Sequence, residues 1–119
     1  MNQTPTSASR TFTVGAQVGL VHGGGRLTVE TGHARLTLDR MTRTLTGVGE
    51  VIHSTPSISL RRVRVCLPWI NTRLILSGDD GTQAVASTWF PARRRLAHAL
   101  EEAGFVVNHE VAWFKLGPS

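Results

Sequence analysis

The run Arg26-Leu-Thr-Val-Glu-Thr-Gly-His-Ala-Arg-Leu-Thr-Leu-Asp39 decides the fold. Leu27 and Val29 alternate with Thr28 and Glu30, and Ala34, Leu36 and Leu38 then alternate with Arg35, Thr37 and Asp39. A period of two places the apolar set on one face of a strand and the polar set on the other. Thr31-Gly32 between the runs reads as a tight turn, because Gly reaches the positive φ such turns need. The stretch predicts a β-hairpin with one buried face.

Towards the C-terminus the same grammar continues. Arg43–Thr46 reads as a weaker run closed by Gly47-Val-Gly49, and Val51–Ser54 as another ended by Pro56. Ile58–Leu67 is the longest expected strand. Its apolar phase changes: Ile58 and Leu60 share one parity, while Val63, Val65 and Leu67 share the other. A slip at Arg61-Arg62 predicts a β-bulge or sharp bend, a device that helps small sheets curl. Arg62 and Arg64, two apart, share one face and are expected on the outer side of the strand, where exposed arginines are common. Pro68 ends the strand, Leu74–Leu76 resumes, Gly78-Asp79-Asp80-Gly81 reads as a hairpin turn, and Gln83–Thr88 follows.

The helix comes next. Leu96, Ala99, Leu100 and Ala103 recur at helical spacing, with Arg94, Arg95, His98, Glu101 and Glu102 opposite. Thr88 can cap this helix and Pro91 suits its first turn. Gly104 fits the left-handed position after the end, with Phe105 packing back on Leu100. Arg93–Arg95 lie at the positive end of the helix dipole and the two Glu at the negative end, so packing of the stripe must hold the helix. Val111–Leu116 alternates as an additional strand.

These elements predict a mainly β (α+β) domain: an antiparallel bent sheet, or open barrel, of six to seven strands with one C-terminal amphipathic helix. Residues 1–11 are expected as a polar, loose tail, and 12–119 as a single domain with core 26–105 and an extra strand at 111–116. Phe12–Val21 is either a strand or a mobile segment; it and Val111–Leu116 could pair together or add edges to the sheet.

The strand meander followed by Ser87-Thr-Trp-Phe-Pro-Ala-Arg-Arg-Arg-Leu-Ala-His-Ala-Leu-Glu-Glu-Ala-Gly-Phe105 resembles the ends of small bacterial pleckstrin-homology (PH)-like proteins. The resemblance covers Arg26 to Phe105. It implies a strongly bent sheet plugged at one end by the helix. PH domains that bind phosphoinositides carry basic residues around a long first hairpin loop. Here that loop is only Thr31-Gly32, and Arg35 has no basic neighbour two residues on, which argues against the usual lipid site.

Composition bounds the function. With 40% apolar and 18% charged residues among 119, the chain can build one ordinary core. The formal charge is +5, and Lys115 is the only base that is not Arg. Arg is the better residue for bidentate contact with phosphate or carboxylate, although net charge alone does not assign a role. Cys66 is the single cysteine, so no internal disulfide can form, which fits a reducing compartment and a cytoplasmic location. Phe12–Val21 is too short to span a bilayer and lacks the flanks of a signal peptide.

Catalytic signatures are weak. His22-Gly-Gly-Gly25 has the letters of a lipase oxyanion loop, but no Gly-x-Ser-x-Gly turn accompanies it, so it reads as a flexible turn before the first strand. Asp79-Asp80 reads as a turn and not a metal site. The five histidines lack zinc-site spacing; Cys66 near His53 reads as packing. Trp89, Phe90, Trp113 and Phe114 read as core around the helix ends. No catalytic residues, metal or cofactor are expected, and no small-molecule substrate.

The suggestive group is basic. Arg62 and Arg64 are two apart on one strand, Arg93, Arg94 and Arg95 open the helix, and Trp69 offers a flat apolar contact. The sequence thus favours a non-catalytic binding or assembly module. Such a module would contact a protein partner, or a second copy, through a sheet edge or the helix flank. The alternative is an anion-binding module for phospholipid headgroups or nucleic acid through those arginines. A small enzyme is the remaining, least supported reading.

Overall fold

A computed structural model describes residues 9–64 and 70–113. The strands are β1 (Arg10–Val18), β2 (Val21–Glu30), β3 (His33–Leu38), β4 (Glu50–His53), β5 (Ser57–Arg64), β6 (Ile70–Ser77), β7 (Gln83–Trp89) and β8 (Val106–Trp113). Two helices join them, α1 (Arg40–Thr46) and α2 (Phe90–Glu102). All strands form one eight-stranded sheet in the order β4-β3-β2-β1-β7-β6-β5-β8, curled into an open half-barrel.

The period-two pattern fills the concave face. Val14, Ala16, Leu27, Val29, Ala34, Leu36, Leu38, Val51, Ile58, Leu60, Leu74, Leu76, Ala84 and Ala86 are all buried. The hairpin that decides the fold forms as expected, with Leu27 opposite Leu36 and Val29 opposite Ala34, and Gly32 at φ 79° in its turn. Leu96, Ala99, Leu100, Ala103 and Phe105 close the core from α2. The helix ends in a Schellman motif: Phe105 N–H donates to Leu100 O and Gly104 N–H to Glu101 O, both at 3.0 Å, with Gly104 at φ 97°. Gly32 N–H donates to Ala103 O at 3.0 Å, tying the β2–β3 turn to the end of α2.

Several expectations are corrected. Among the described residues there are eight strands, not six to seven, because the N-terminal segment is a full strand. β1 begins at Arg10, so residues 10 and 11 belong to the body of the domain. β1 lies in the middle of the sheet, paired to both β2 and β7, and neither forms an edge nor pairs with β8. His22-Gly-Gly-Gly25 is not a flexible turn but part of β2, opposite Gln17 to Val14.

Arg43–Thr46 is not a strand but the second half of α1. Asp39 caps it by accepting from Thr42 N–H at 2.8 Å, and Gly47 ends it at φ 74°. Thr88 lies inside β7 and not at a helix cap.

The sheet is also not wholly antiparallel. A helical crossover brings the chain back to the same end of the sheet, so the strand after α2 runs parallel to β7. That strand is β8. It starts at Val106, five residues before the expected Val111, and pairs in parallel with β5.

The bulge at Arg61-Arg62 is absent. β5 keeps one continuous register with β6 from Ser59 to Arg64 and with β8 from Ser57 to Arg64. The apolar phase change arises because a polar side chain, Arg62, occupies the inner face. Cys66, Trp69, residues 114–119 and the first eight residues lie outside the described residues, as do the side chains of Trp89, Phe90 and Trp113.

Candidate functional site

Two of the three β2 glycines face α1 and its cap, and the third faces β3. A Cβ at Gly23 would overlap Thr42 Oγ1, one at Gly24 would lie 3.1 Å from the capping Asp39 Oδ2, and one at Gly25 would lie 2.5 Å from Thr37 O of β3. Thr42 is the buried residue of α1, 1% exposed. The glycine run is therefore a flat landing for a short helix, and the oxyanion-loop reading has no structural counterpart. Hydrogen bonds from Thr42 and from the Gly24 backbone hold the Asp39 carboxyl below its ordinary range.

The acidic pair at the β6–β7 turn is spent on structure. Asp80 Oδ1 accepts from Thr82 N–H at 2.9 Å, which lowers its pKa. Asp79 Oδ2 accepts from Ser54 Oγ at 2.8 Å. Among the described residues no group of three or more His, Cys, Asp or Glu could hold a metal.

His53 is a residue whose role the sequence did not reveal. It is 3% exposed, with Nδ1 accepting from Ser77 N–H and Nε2–H donating to Ser57 O, each at 3.0 Å. Its ring also packs against Phe105 at 5.8 Å. One side chain thus joins β4, the start of β5 and the end of β6. Asp79 N–H adds a bond to Ile52 O at 2.9 Å. The β4 edge is therefore pinned.

Among the described side chains, Arg62, Arg93, Arg94 and Arg95 do not form one patch. Arg62 is half-buried on the inner face, in the same cross-strand row as Thr72 of β6 and Thr88 of β7. This corrects its expected outward placement. Arg62 and Arg93 line one cavity of about 90 Å³, together with Leu60, Thr72, His109, Glu110 and Val111. Arg95 lines a separate, wider cleft of about 450 Å³ with Arg10, Thr11, Phe12, Thr13 and Thr88. Arg10 pairs there with Glu102 at 3.5 Å. Arg94 is exposed and lines neither. Arg64 ends β5, and Trp69 lies outside the described residues.

Arg61, which points outward, is held at 3.0 Å by Glu110 of β8. The partner of Arg61 could not be found from sequence, because it depends on the parallel β5–β8 register.

At the other end of the sheet, β8 is an edge eight residues long. Val106 N–H bonds back to Pro56 O at 2.8 Å. Alternate residues in a strand direct their N–H and C=O to opposite sides, so those of Val107, His109 and Val111 point away from β5. Among the described residues nothing pairs with them. Val106 and Val111 are 63% and 60% exposed. No described helix is long and apolar enough to cross a membrane. Compared with known proteins, the chain matches no family model and no curated sequence.

Proposed function

We propose that this protein is a non-catalytic assembly module that pairs with a second copy of itself through β8. The observation that carries the reading is the open edge: a long strand of low charge with outward N–H and C=O groups, at the opposite end of the sheet from a β4 edge that is pinned. An unpaired edge of this kind is a template for strand addition.

The sequence of β8 is self-complementary in antiparallel pairing centred on His109. That register sets Val107 opposite Val111 of the second copy on one face, and Asn108 opposite Glu110 on the other. Apolar pairs and an amide–carboxylate pair are both favourable across strands. The PH-like reading belongs to the same proposal. It is supported by the curled sheet of β1–β7 and by α2, which follows β7 and packs Leu96 and Leu100 into the core. The single Cys and the absence of an internal disulfide are consistent with work in a reducing cytoplasm.

Light scattering on size-exclusion fractions tests the reading. The chain is expected to run at twice its 12.9 kDa mass at tens of micromolar and above. His109→Pro removes an N–H that faces away from β5, a position where an edge strand tolerates Pro. It should give a folded monomer. A native chain that stays monomeric to millimolar concentration would end the proposal.

A further inference from the structure

The inner face of the sheet changes character over one row. Leu60, Leu74 and Ala86 form an apolar row across β5, β6 and β7. The next row on the same face is Arg62, Thr72 and Thr88, with Val111 beside Arg62 on β8. Thr72 is 0% exposed, and its Oγ1 has no hydrogen-bond partner among the described residues. Buried hydroxyls are almost always satisfied, so an orphan one in a polar row needs an explanation.

Arg62 stands directly across from it, half-buried and in no ion pair among the described residues. Arg93, in the first turns of α2, contributes a second positive charge to the same cavity. Glu110 also reaches its lining, but its carboxylate is engaged by Arg61, at 3.0 Å.

We propose that this cavity binds a phosphate-class oxyanion, either free or as a terminal monoester. The Arg62 guanidinium can bond two oxygens of such an ion in a fork, and the positive charge of Arg93 on the same lining favours a dianion over a monoanion. The Thr72 hydroxyl supplies the missing donor from the floor. About 90 Å³ is room for a few waters or one phosphoryl group, and too little for a nucleotide. The site lies between β5, β6, β8 and α2. Its binding groups, Arg62 and Thr72, lie on β5 and β6, although His109, Glu110 and Val111 of β8 complete the lining.

Titration of the full chain with sodium phosphate against sodium chloride at constant ionic strength, followed by amide NMR and calorimetry, tests it. Saturable one-site binding is expected for phosphate. Arg62→Ala should weaken it at least tenfold, whereas Arg26→Ala, an exposed control, should leave it unchanged. Thr72→Val keeps the side-chain shape. It should melt higher than the native chain in phosphate-free buffer, because the orphan hydroxyl is gone, yet bind phosphate severalfold more weakly.

Glycerol phosphate in a parallel arm separates a free ion from a monoester: equal or weaker binding means the ion, tighter binding a monoester. Unsaturable shifts matching those of chloride would overturn the proposal. So would phosphate affinity unchanged in both Thr72→Val and Arg62→Ala. Should Arg62→Ala fail to fold, the isosteric Thr72 variant decides alone.

Discussion

The two ends of the sheet solve the same problem differently. β4 is four residues long and is held by His53, Ser54 and the β6–β7 turn. β8 is twice as long and is hydrogen-bonded to β5 alone, with exposed valines and no strand on its outer side among the described residues. An edge that only needs to be stable is short and tied down. The contrast teaches that, among the described residues, the curl is finished on one side only, and that is the ground for proposing β8 as the side where another strand adds.

The most disruptive way to break the comparison is His53→Ala. It leaves a cavity beside Phe105 and strips the Ser77 N–H of its acceptor, for a loss of roughly 2–4 kcal/mol. Chemical denaturation measures it, and faster amide exchange in β4 than in β8 should accompany it. A change below about 0.5 kcal/mol would show that His53 does not pin that edge.

Gly23→Ala acts one step further in. It pushes α1 off β2 and should cost roughly 1–3 kcal/mol by overpacking, read in the same denaturation experiment. Val106→Lys acts on the other edge, at a site 63% exposed. It should change monomer stability by less than about 0.5 kcal/mol while weakening self-association several-fold in sedimentation.

The smallest expected effect is the acid response of α1. The hydrogen bonds from Thr42 hold the folded pKa of the Asp39 carboxyl below the ordinary aspartate value, so its capping contribution is fully present above that ordinary value. It is lost as pH falls through the lower folded value. Asp39→Asn should therefore flatten the stability slope below about pH 4, measured by thermal melts across pH.

The hairpin, the β6–β7 turn and the α2 stripe were legible in the sequence because each is decided by neighbours along the chain. Leu27, Val29, Ala34 and Leu36 alternate on their own, and Leu96, Ala99, Leu100 and Ala103 keep helical spacing without help. α1 was also signalled, by Asp39 before it and Gly47 after it, but the Thr-rich run between them has weak helix propensity and mimics a strand. The β5–β8 pairing was not legible. Its parallel register brings together residues about fifty positions apart, and nothing local specifies it.

The arginine cavity was half legible. Arg62 and Arg93 were singled out by type. Their shared cavity depends on a strand with no slip, and the polar residue that broke the apolar phase was itself the clue. Thr72 carried no signal, since a Thr in a strand is ordinary until its partners are known.

The most direct measurement is amide hydrogen exchange of the native chain at low and high protein concentration. The account predicts that Val107, His109 and Val111 gain protection as concentration rises, while Val51 and His53 do not change. Protection in β8 that is independent of concentration, or a rise confined to β4, would contradict the account.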